Sequence, residues 1–117
     1  MKINIKPLSV NKCWQGRRFK TNDYKVYEKE LLYLLPNSIS INKQSHILLC
    51  IELGLSNKLQ DIDNVLKPFL DILQKKYDFN DNMIYSILIE KKIVPKEDEY
   101  IDFEIKQKNG TKNNKDS

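Results

Sequence analysis

The length and charge of the chain set the first limits on what it does. With 117 residues it is the size of one ordinary domain, so the surface that performs any chemistry must also hold the substrate, or share that task with a second subunit. The net charge of +4 and the sequence pI of about 9.0 are compatible with a nucleic-acid partner, and equally with a basic surface that only aids solubility. A single histidine, His46, argues against a histidine-based zinc site and a Ser-His triad.

The cysteines and the N-terminus indicate a chain that stays in a reducing cytoplasm. Cys13 and Cys50 are too few for a disulfide framework; we expect Cys50 to be buried within an apolar run and Cys13 to be partly exposed in a loop. The first residues lack the apolar stretch of a signal peptide, and no segment approaches the roughly 20 apolar residues of a membrane span. The sequence therefore predicts a cytoplasmic protein with no membrane partner.

The first half of the chain predicts a strand, a helix and a second strand. Alternating apolar residues favour a strand over residues 2–6, and Pro7 ends it before a basic loop. Asn22 is a candidate N-cap for a helix that continues to about Leu35. Residues 44–54 form the next strand, and because they are almost continuously apolar, we expect it to lie at the centre of a sheet covered on both faces.

The second half predicts one more helix and two more strands. A polar connection leads to a helix that ends near Tyr77, followed by a turn and by strands over residues 83–94 and 100–106. The element order β-α-β-α-β-β is typical of an α+β (mixed α/β) single domain, with a mixed sheet flanked by two main helices. We place this domain at residues 1–106 and expect residues 107–117, which are polar and basic, to be disordered.

A group of charged residues lies between the second predicted strand and the second predicted helix. Asp61 and Asp63 are separated by one residue in a loop, so their carboxylates can point at one spot, where a divalent cation would offset their repulsion. Mg²⁺ prefers carboxylate oxygens, and Asp81 would close the site if the strand that follows it lies beside the one that precedes Asp61. Lys67, four residues after Asp63, lies on the same helical side, where it would face a phosphate. These parts suit the hydrolysis of a phosphodiester by a metal-activated water.

The same residues also have purely structural explanations. Asp63 or Asn64 would serve as the N-cap of the second helix, with Asp61 in a turn that its own side chain stabilises. Asp63 and Lys67 would form a surface ion pair, and Asp81 would be an ordinary turn residue. The spacing by itself does not separate these explanations from a metal site.

The basic loop after the first strand is a second candidate, this time for binding. Trp14 would stack on a base or a sugar, and Arg17, Arg18 and Lys20 would reach phosphates. The alternative is that Trp14 packs on the core while the charges are solvated.

Three motifs occur in order along the chain, and together they resemble the RusA family of Holliday junction resolvases, the crossover junction endodeoxyribonucleases of phages and prophages. Pro7-Leu8-Ser9-Val10-Asn11 is similar to the family's Pro-x-Ser-x-Asn stretch. The central motif, Asp61-Ile62-Asp63-Asn64-Val65-Leu66-Lys67, is similar to the family's Asp-x-Asp-Asn-x-x-Lys signature, and its continuation, Phe69-Leu70-Asp71-Ile72-Leu73, is similar to the Leu-Leu-Asp-Ala-Leu helix that follows that signature. Asn80-Asp81-Asn82-Met83-Ile84 resembles a turn that usually reads Asp-Asp-x-x-Ile. The resemblance spans about residues 2–105.

The resemblance implies a Mg²⁺-dependent endonuclease, with Mn²⁺ as an alternative ion, that makes paired symmetric nicks in four-way DNA junctions during recombination and repair. It also implies a homodimer, whose two-fold symmetry suits a junction that presents two equivalent strands. The family's metal-binding acids carry over to Asp61, Asp63 and Asp81, its essential lysine carries over to Lys67, and Asn64 is a supporting residue. The candidate DNA-binding residues of this reading are Asn11, Trp14, Arg17, Arg18 and Lys20.

Two positions of this chain depart from the family pattern. The position before the first acid is often basic in the family and is Gln60 here, and the paired acid of the turn is reduced to Asn80-Asp81. The main alternative is a non-catalytic module of the same fold that binds branched nucleic acid. A general duplex nuclease and a phage protein whose acids only cap helices are further alternatives.

Overall fold

The strands and helices of the computed structural model follow the predicted order, with a short hairpin added before the first helix. The structure describes residues 1–16 and 19–107. Its elements are β1 (Lys2–Ile3), β2 (Trp14–Gln15), β3 (Phe19–Lys20), α1 (Asn22–Leu34), β4 (Ile47–Leu55), α2 (Ile62–Tyr77), β5 (Ile84–Ile93) and β6 (Tyr100–Gln107). Single turns of 3-10 helix cover Val10–Lys12, Asp81–Met83 and Lys96–Asp98.

Four of the strands form one mixed sheet in the order β1-β6-β4-β5. β6 runs antiparallel to both β1 and β4, whereas β4 and β5 are parallel, an arrangement that needs a long connection such as α2 between them. β2 and β3 form a separate two-stranded hairpin. The chain therefore has the predicted α+β fold, with β4 inside the sheet and β5 at one edge.

One face of the sheet carries the core. Alternate residues of β4, from Ile47 to Leu55, are buried in a single cluster with the buried residues of both helices. Phe69 of α2 meets Phe103 of β6 edge to face, with ring centroids 5.4 Å apart. On the other face, within the described residues, Leu48 is exposed. The predicted central position of β4 is confirmed, but the prediction that both its faces are covered was wrong, because the two helices join the core on the same side.

The first helix begins one residue after its cap. Thr21 is the N-cap instead of the predicted Asn22, and its hydroxyl accepts a hydrogen bond from the backbone amide of Tyr24 at 3.1 Å. A threonine oxygen in this position satisfies one of the free amides of the first turn. The helix ends at Leu34, close to the predicted end.

The second helix starts at Ile62, so Pro68 lies in its second turn. A proline there has no amide to offer the carbonyl of Asn64, four residues earlier, and the helix continues through it. Leu66 and Leu70 of this helix are half-buried. The fully buried residues of the helix are Val65, Pro68, Phe69, Ile72, Leu73 and Tyr77.

The two cysteines have the opposite environments from those predicted. Cys13 is buried, because it lies where the hairpin joins the core, and Cys50 is only half-buried, because it points to the open face of β4. Both thiols are free. The expected position of each cysteine was wrong, whereas the expected absence of a disulfide framework is not affected.

The last strand includes one residue beyond its predicted end. Gln107 is the last residue of β6, and its side-chain amide donates a hydrogen bond to the carbonyl of Asn42 at 2.7 Å. The rest of the predicted tail, residues 108–117, lies outside the described residues. Among the helices that are described, none is long and apolar enough to cross a membrane.

Candidate active site

The start of α2 leaves its acidic side chains without a capping role. Asp61 has the extended backbone of an N-cap residue, but its carboxylate makes no capping hydrogen bond. Two other elements are capped by side chains: Thr21 accepts a hydrogen bond from the amide of Tyr24, and Asn80 accepts one from the amide of Asn82. The structure therefore does not show an acidic side chain capping α2.

Asp63, Lys67 and Asp71 form a polar face of α2. They are spaced four residues apart, so they lie on one side of the helix, and all three are exposed. Asn64, next to Asp63, is half-buried. Within the described residues, no ion pair joins Asp63 to Lys67, which leaves both charges available to a ligand.

Asp81 lies close enough to this face to act on it electrostatically. Burial raises the pKa of the Asp71 carboxyl, the positive charge of Lys67 opposes that rise, and the negative charge of Asp81 adds to it. Lys67, Asp71 and Asp81 thus share one neighbourhood, with two carboxylates near a single cation. Asp81 itself is the first residue of its 3-10 turn and is exposed.

The parallel pairing of β4 and β5 explains why Asp81 lies beside the middle of α2 and not at its start. The first residue of β5, Ile84, is paired with Ile47, the first residue of β4. Asp61 instead follows the far end of β4, and the nine residues of that strand extend over about 30 Å. The expectation that Asp81 closes the site across from Asp61 assumed that the two strands end together, and parallel strands do not bring those two points together.

Asp61 and Asp63 provide carboxylates for a magnesium site that has only one or two protein ligands. Mg²⁺ is commonly held by one or two carboxylates, with waters and substrate phosphates as its other ligands, and Asp61 and Asp63 provide this donor chemistry. In the part of the chain that the structure describes, no group of three or more His, Cys, Asp or Glu side chains is placed to hold a metal ion. The predicted three-carboxylate site of Asp61, Asp63 and Asp81 stays a prediction, whereas the chemistry of Asp61 and Asp63 alone fits a two-carboxylate site.

The predicted binding loop contains the β2–β3 hairpin, and two aromatic side chains project from it. Trp14 is 43% exposed and Phe19 is 73% exposed. Gly16 has a φ of +67°, a conformation that glycine adopts without strain. Asn11 is exposed in the preceding 3-10 turn. The predicted contacts of Arg17 and Arg18 lie outside the described residues.

Lys20 has a structural partner that the sequence did not reveal. Its ammonium lies 3.1 Å from one oxygen of Glu28, and Lys75 of α2 lies 3.0 Å from the other. Burial works to raise the pKa of Glu28, but the hydrogen bonds and charges of the two lysines outweigh it and hold the pKa below its ordinary value. Lys20 therefore joins the hairpin to α1, and it is less free to contact phosphate than was expected.

The hairpin and the polar face of α2 are neighbours. Trp14 meets Tyr24 edge to face, with ring centroids 5.7 Å apart. Burial raises the pKa of Tyr24 to about 12, and the charge of Asp71 contributes to that rise. The same two causes, burial first, raise the pKa of Cys13. Trp14, through Tyr24, thus stands on the side of α2 that carries Asp71.

Two residues of this region were not among the predicted site residues. Asp71 follows Lys67 by four residues, and that spacing was the signal that would have added it to the predicted site. Phe19 carries no such signal, because an aromatic residue in a short loop is as often buried as exposed.

The chain was compared with family models and with curated proteins. No family model matches the chain, and no curated protein matches it.

Proposed function

We propose that the chain is a Mg²⁺-dependent endonuclease that cuts branched DNA, with Asp61, Asp63 and Lys67 at its reaction centre. The observation that carries the proposal is the start of α2, where Asp61 occupies the cap position and leaves its carboxylate unused. Asp61 and Asp63 are both exposed and lie two positions apart, so a cation held by both would offset their mutual repulsion. The ordered resemblance of three motifs to the RusA resolvases supports the same reading.

The residues of α2 would each contribute to hydrolysis of a phosphodiester. Asp61 and Asp63 would hold Mg²⁺, which when bound lowers the pKa of an attacking water and stabilises negative charge on the phosphate. Lys67, one helical turn after Asp63, would place its ammonium against the same phosphate. Asp81 and Asp71 would stand beside Lys67, and their charges would hold its side chain on this side of the helix.

The hairpin would supply the DNA-binding surface of the proposed enzyme. Trp14 and Phe19 expose flat apolar surface on which an unpaired base at a junction would stack. Asn11, Arg17, Arg18 and Lys20 belong to the same segment and would contact the backbone, which positions the protein without reading sequence. Selectivity would come from junction shape and not from base edges.

The proposal extends to a homodimer in a reducing cytoplasm. Two copies related by a two-fold axis would present two reaction centres to the two equivalent strands of a four-way junction. Free thiols at Cys13 and Cys50 are compatible with that compartment.

A second candidate function is a non-catalytic module that binds branched nucleic acid. The observation in its favour is that, among residues 1–16 and 19–107, the three predicted carboxylates are not gathered into one group. In this case Asp61 and Asp63 would serve only to place negative charge at the N-terminal end of α2, where the helix dipole favours it by roughly 0.3–1 kcal/mol.

The deciding experiment is the nicking of a labelled four-way junction beside a linear duplex of matched sequence. We expect symmetric cuts in the junction alone, in the presence of Mg²⁺, and loss of cutting with a chelator and in Asp63→Asn. Asp23→Asn is the matched control, since Asp23 lies in the first turn of α1 as Asp63 lies in the first turn of α2. It should cut like the unmodified chain.

The other outcomes have distinct meanings. Equal Mg²⁺-dependent cutting of both substrates would point to a general duplex nuclease. Tight binding of the junction with no cutting, unchanged by Asp63→Asn, would favour the binding module and contradict the proposed enzyme.

A further inference from the structure

The segment that delivers Asp61 is an irregular, exposed connection between β4 and α2. It covers residues 56–60, and three of its members, Asn57, Lys58 and Leu59, are exposed. Within the segment, the side chain of Asn57 accepts a hydrogen bond from the backbone amide of Leu59 at 2.9 Å, which stabilises a local turn. Such a segment has few contacts of its own, so the position of Asp61 depends on what ties the segment to the sheet.

Glu99 ties the beginning of this segment. It lies just before β6, and one of its carboxylate oxygens accepts hydrogen bonds from both the backbone amide and the hydroxyl of Ser56, at 2.8 and 2.9 Å. Hydrogen bonds to a charged acceptor are the stronger kind, and a pair of them to one residue fixes its orientation. Glu99 thereby sets the direction in which the chain leaves β4.

Lys91 ties the end of the segment. It lies in β5, and its ammonium donates hydrogen bonds to the carbonyls of Lys58 and Gln60, at 2.8 and 2.9 Å. The Gln60 carbonyl belongs to the peptide unit that enters Asp61. Lys91 therefore holds the last peptide before the candidate metal ligand, and it does so from a strand in the sheet, which is a rigid support.

We propose that Lys91 and Glu99 are positioning residues of the reaction centre: they fix residues 56–60, and through them the carboxylates of Asp61 and Asp63. This inference rests on the proposed function for its catalytic meaning. Both residues would act on the reaction centre without touching the substrate. Residues that orient metal-binding side chains from behind typically change metal affinity or activity by about 10- to 100-fold when they are replaced.

The test uses the neighbouring lysine as its control. Lys91→Met keeps most of the side chain's apolar stem and removes its hydrogen bonds, whereas Lys92→Met removes an ammonium that pairs with Glu52 on the other side of the strand, at 3.2 Å. Lys91→Arg restores a cationic donor. Each variant is examined for Mn²⁺ binding by electron paramagnetic resonance, for the Mg²⁺ concentration that gives half-maximal nicking, and for amide hydrogen exchange at residues 60–63.

We expect Lys91→Met to bind Mn²⁺ at least about 10-fold more weakly than the unmodified chain. Its half-maximal nicking should need correspondingly more Mg²⁺, and its amide hydrogens at residues 60–63 should exchange faster. High Mg²⁺ should restore its nicking, since the metal ligands are intact. Lys92→Met should resemble the unmodified chain, and Lys91→Arg should recover most of the affinity. Glu99→Gln, compared with Glu97→Gln, makes the same test if Lys91→Met does not fold.

Two results would overturn the inference. One is a folded Lys91→Met variant with unchanged exchange at residues 60–63 and unchanged Mn²⁺ affinity. The other is an equal loss in Lys92→Met, which would indicate a general effect of removing positive charge. Failure of the proposed function looks different: the unmodified chain would neither bind Mn²⁺ nor nick, while exchange would still report whether Lys91 and Glu99 hold the segment.

Discussion

At Gly54 the sheet has no room for a side chain. The ring of Tyr100 lies across it, so a Cβ added at Gly54 would stand only 2.3 Å from a ring carbon. Tyr100 cannot move freely, because its hydroxyl donates a 2.6 Å hydrogen bond to Glu52. We expect Gly54→Ala to lower the free energy of unfolding by about 1–3 kcal/mol, as overpacking usually does, measured by urea denaturation.

A double substitution separates this clash from other effects of alanine. In a Tyr100→Leu background the ring is gone, so Gly54→Ala should cost much less than it does in the unmodified chain. An equal cost in both backgrounds would mean that the backbone conformation of Gly54, and not the ring, makes alanine unfavourable.

At the residue scale the sequence predicted the candidate site only in part. Spacing placed Asp63 and Lys67 on one exposed helix face, as they are in the structure. It did not predict that Asp61 would occupy the cap position without capping, because Asp61 and Asp63 are both common near helix starts. It also did not find Lys91 and Glu99, since their partners are 31 to 43 residues away along the chain.

At the scale of elements, Glu28 joins three parts of the fold. It lies on α1 and pairs with Lys20 of the hairpin and Lys75 of α2. Its pKa is lower in the folded chain than its ordinary value, so its stabilising effect is present above that value, about 4.3, and is lost as the pH falls through the folded-state pKa.

Replacement of Glu28 should therefore have a pH-dependent cost. We expect Glu28→Gln to lower the free energy of unfolding by roughly 0.5–1 kcal/mol at about pH 7, and the difference from the unmodified chain to shrink at about pH 3. Glu30→Gln, an exposed acid on the same helix, is the control and should change little at either pH. A loss from Glu28→Gln that is equally large at both pH values would show that packing, and not charge, is responsible.

The hairpin was the element that the sequence missed. Each of its strands has only two residues, which is too short for an alternating pattern to be recognised. The long elements were found because each has enough residues for a period of two or of about four to repeat. The buried position of Cys13 follows from the hairpin, and it was mispredicted for the same reason.

At the scale of the whole molecule, pattern predicted the elements but not their arrangement. Nothing in the apolar content of β4 separates a strand covered on both faces from one covered on a single face. Nor does the sequence of β5 indicate that it pairs only with β4. These are properties of how helices and strands assemble, and they decide both where Asp81 lies and which edge of the sheet is free.

That free edge leads to a prediction about the proposed homodimer. β5 is the longer of the two edge strands, and within the described residues Tyr85 and Leu88 are 65% and 61% exposed on it. A long edge with exposed apolar residues tends to pair with another strand, and two copies of β5 would satisfy each other in an antiparallel pair. We expect the unmodified chain to sediment as a dimer and the double variant Tyr85→Lys/Leu88→Lys to sediment as a folded monomer.

The control is Tyr33→Lys, which removes an 86% exposed aromatic residue from α1 and should leave the dimer intact. A dimer that survives both edge substitutions would move the interface elsewhere, and an unmodified chain that is monomeric at every concentration would remove the dimer from the proposal.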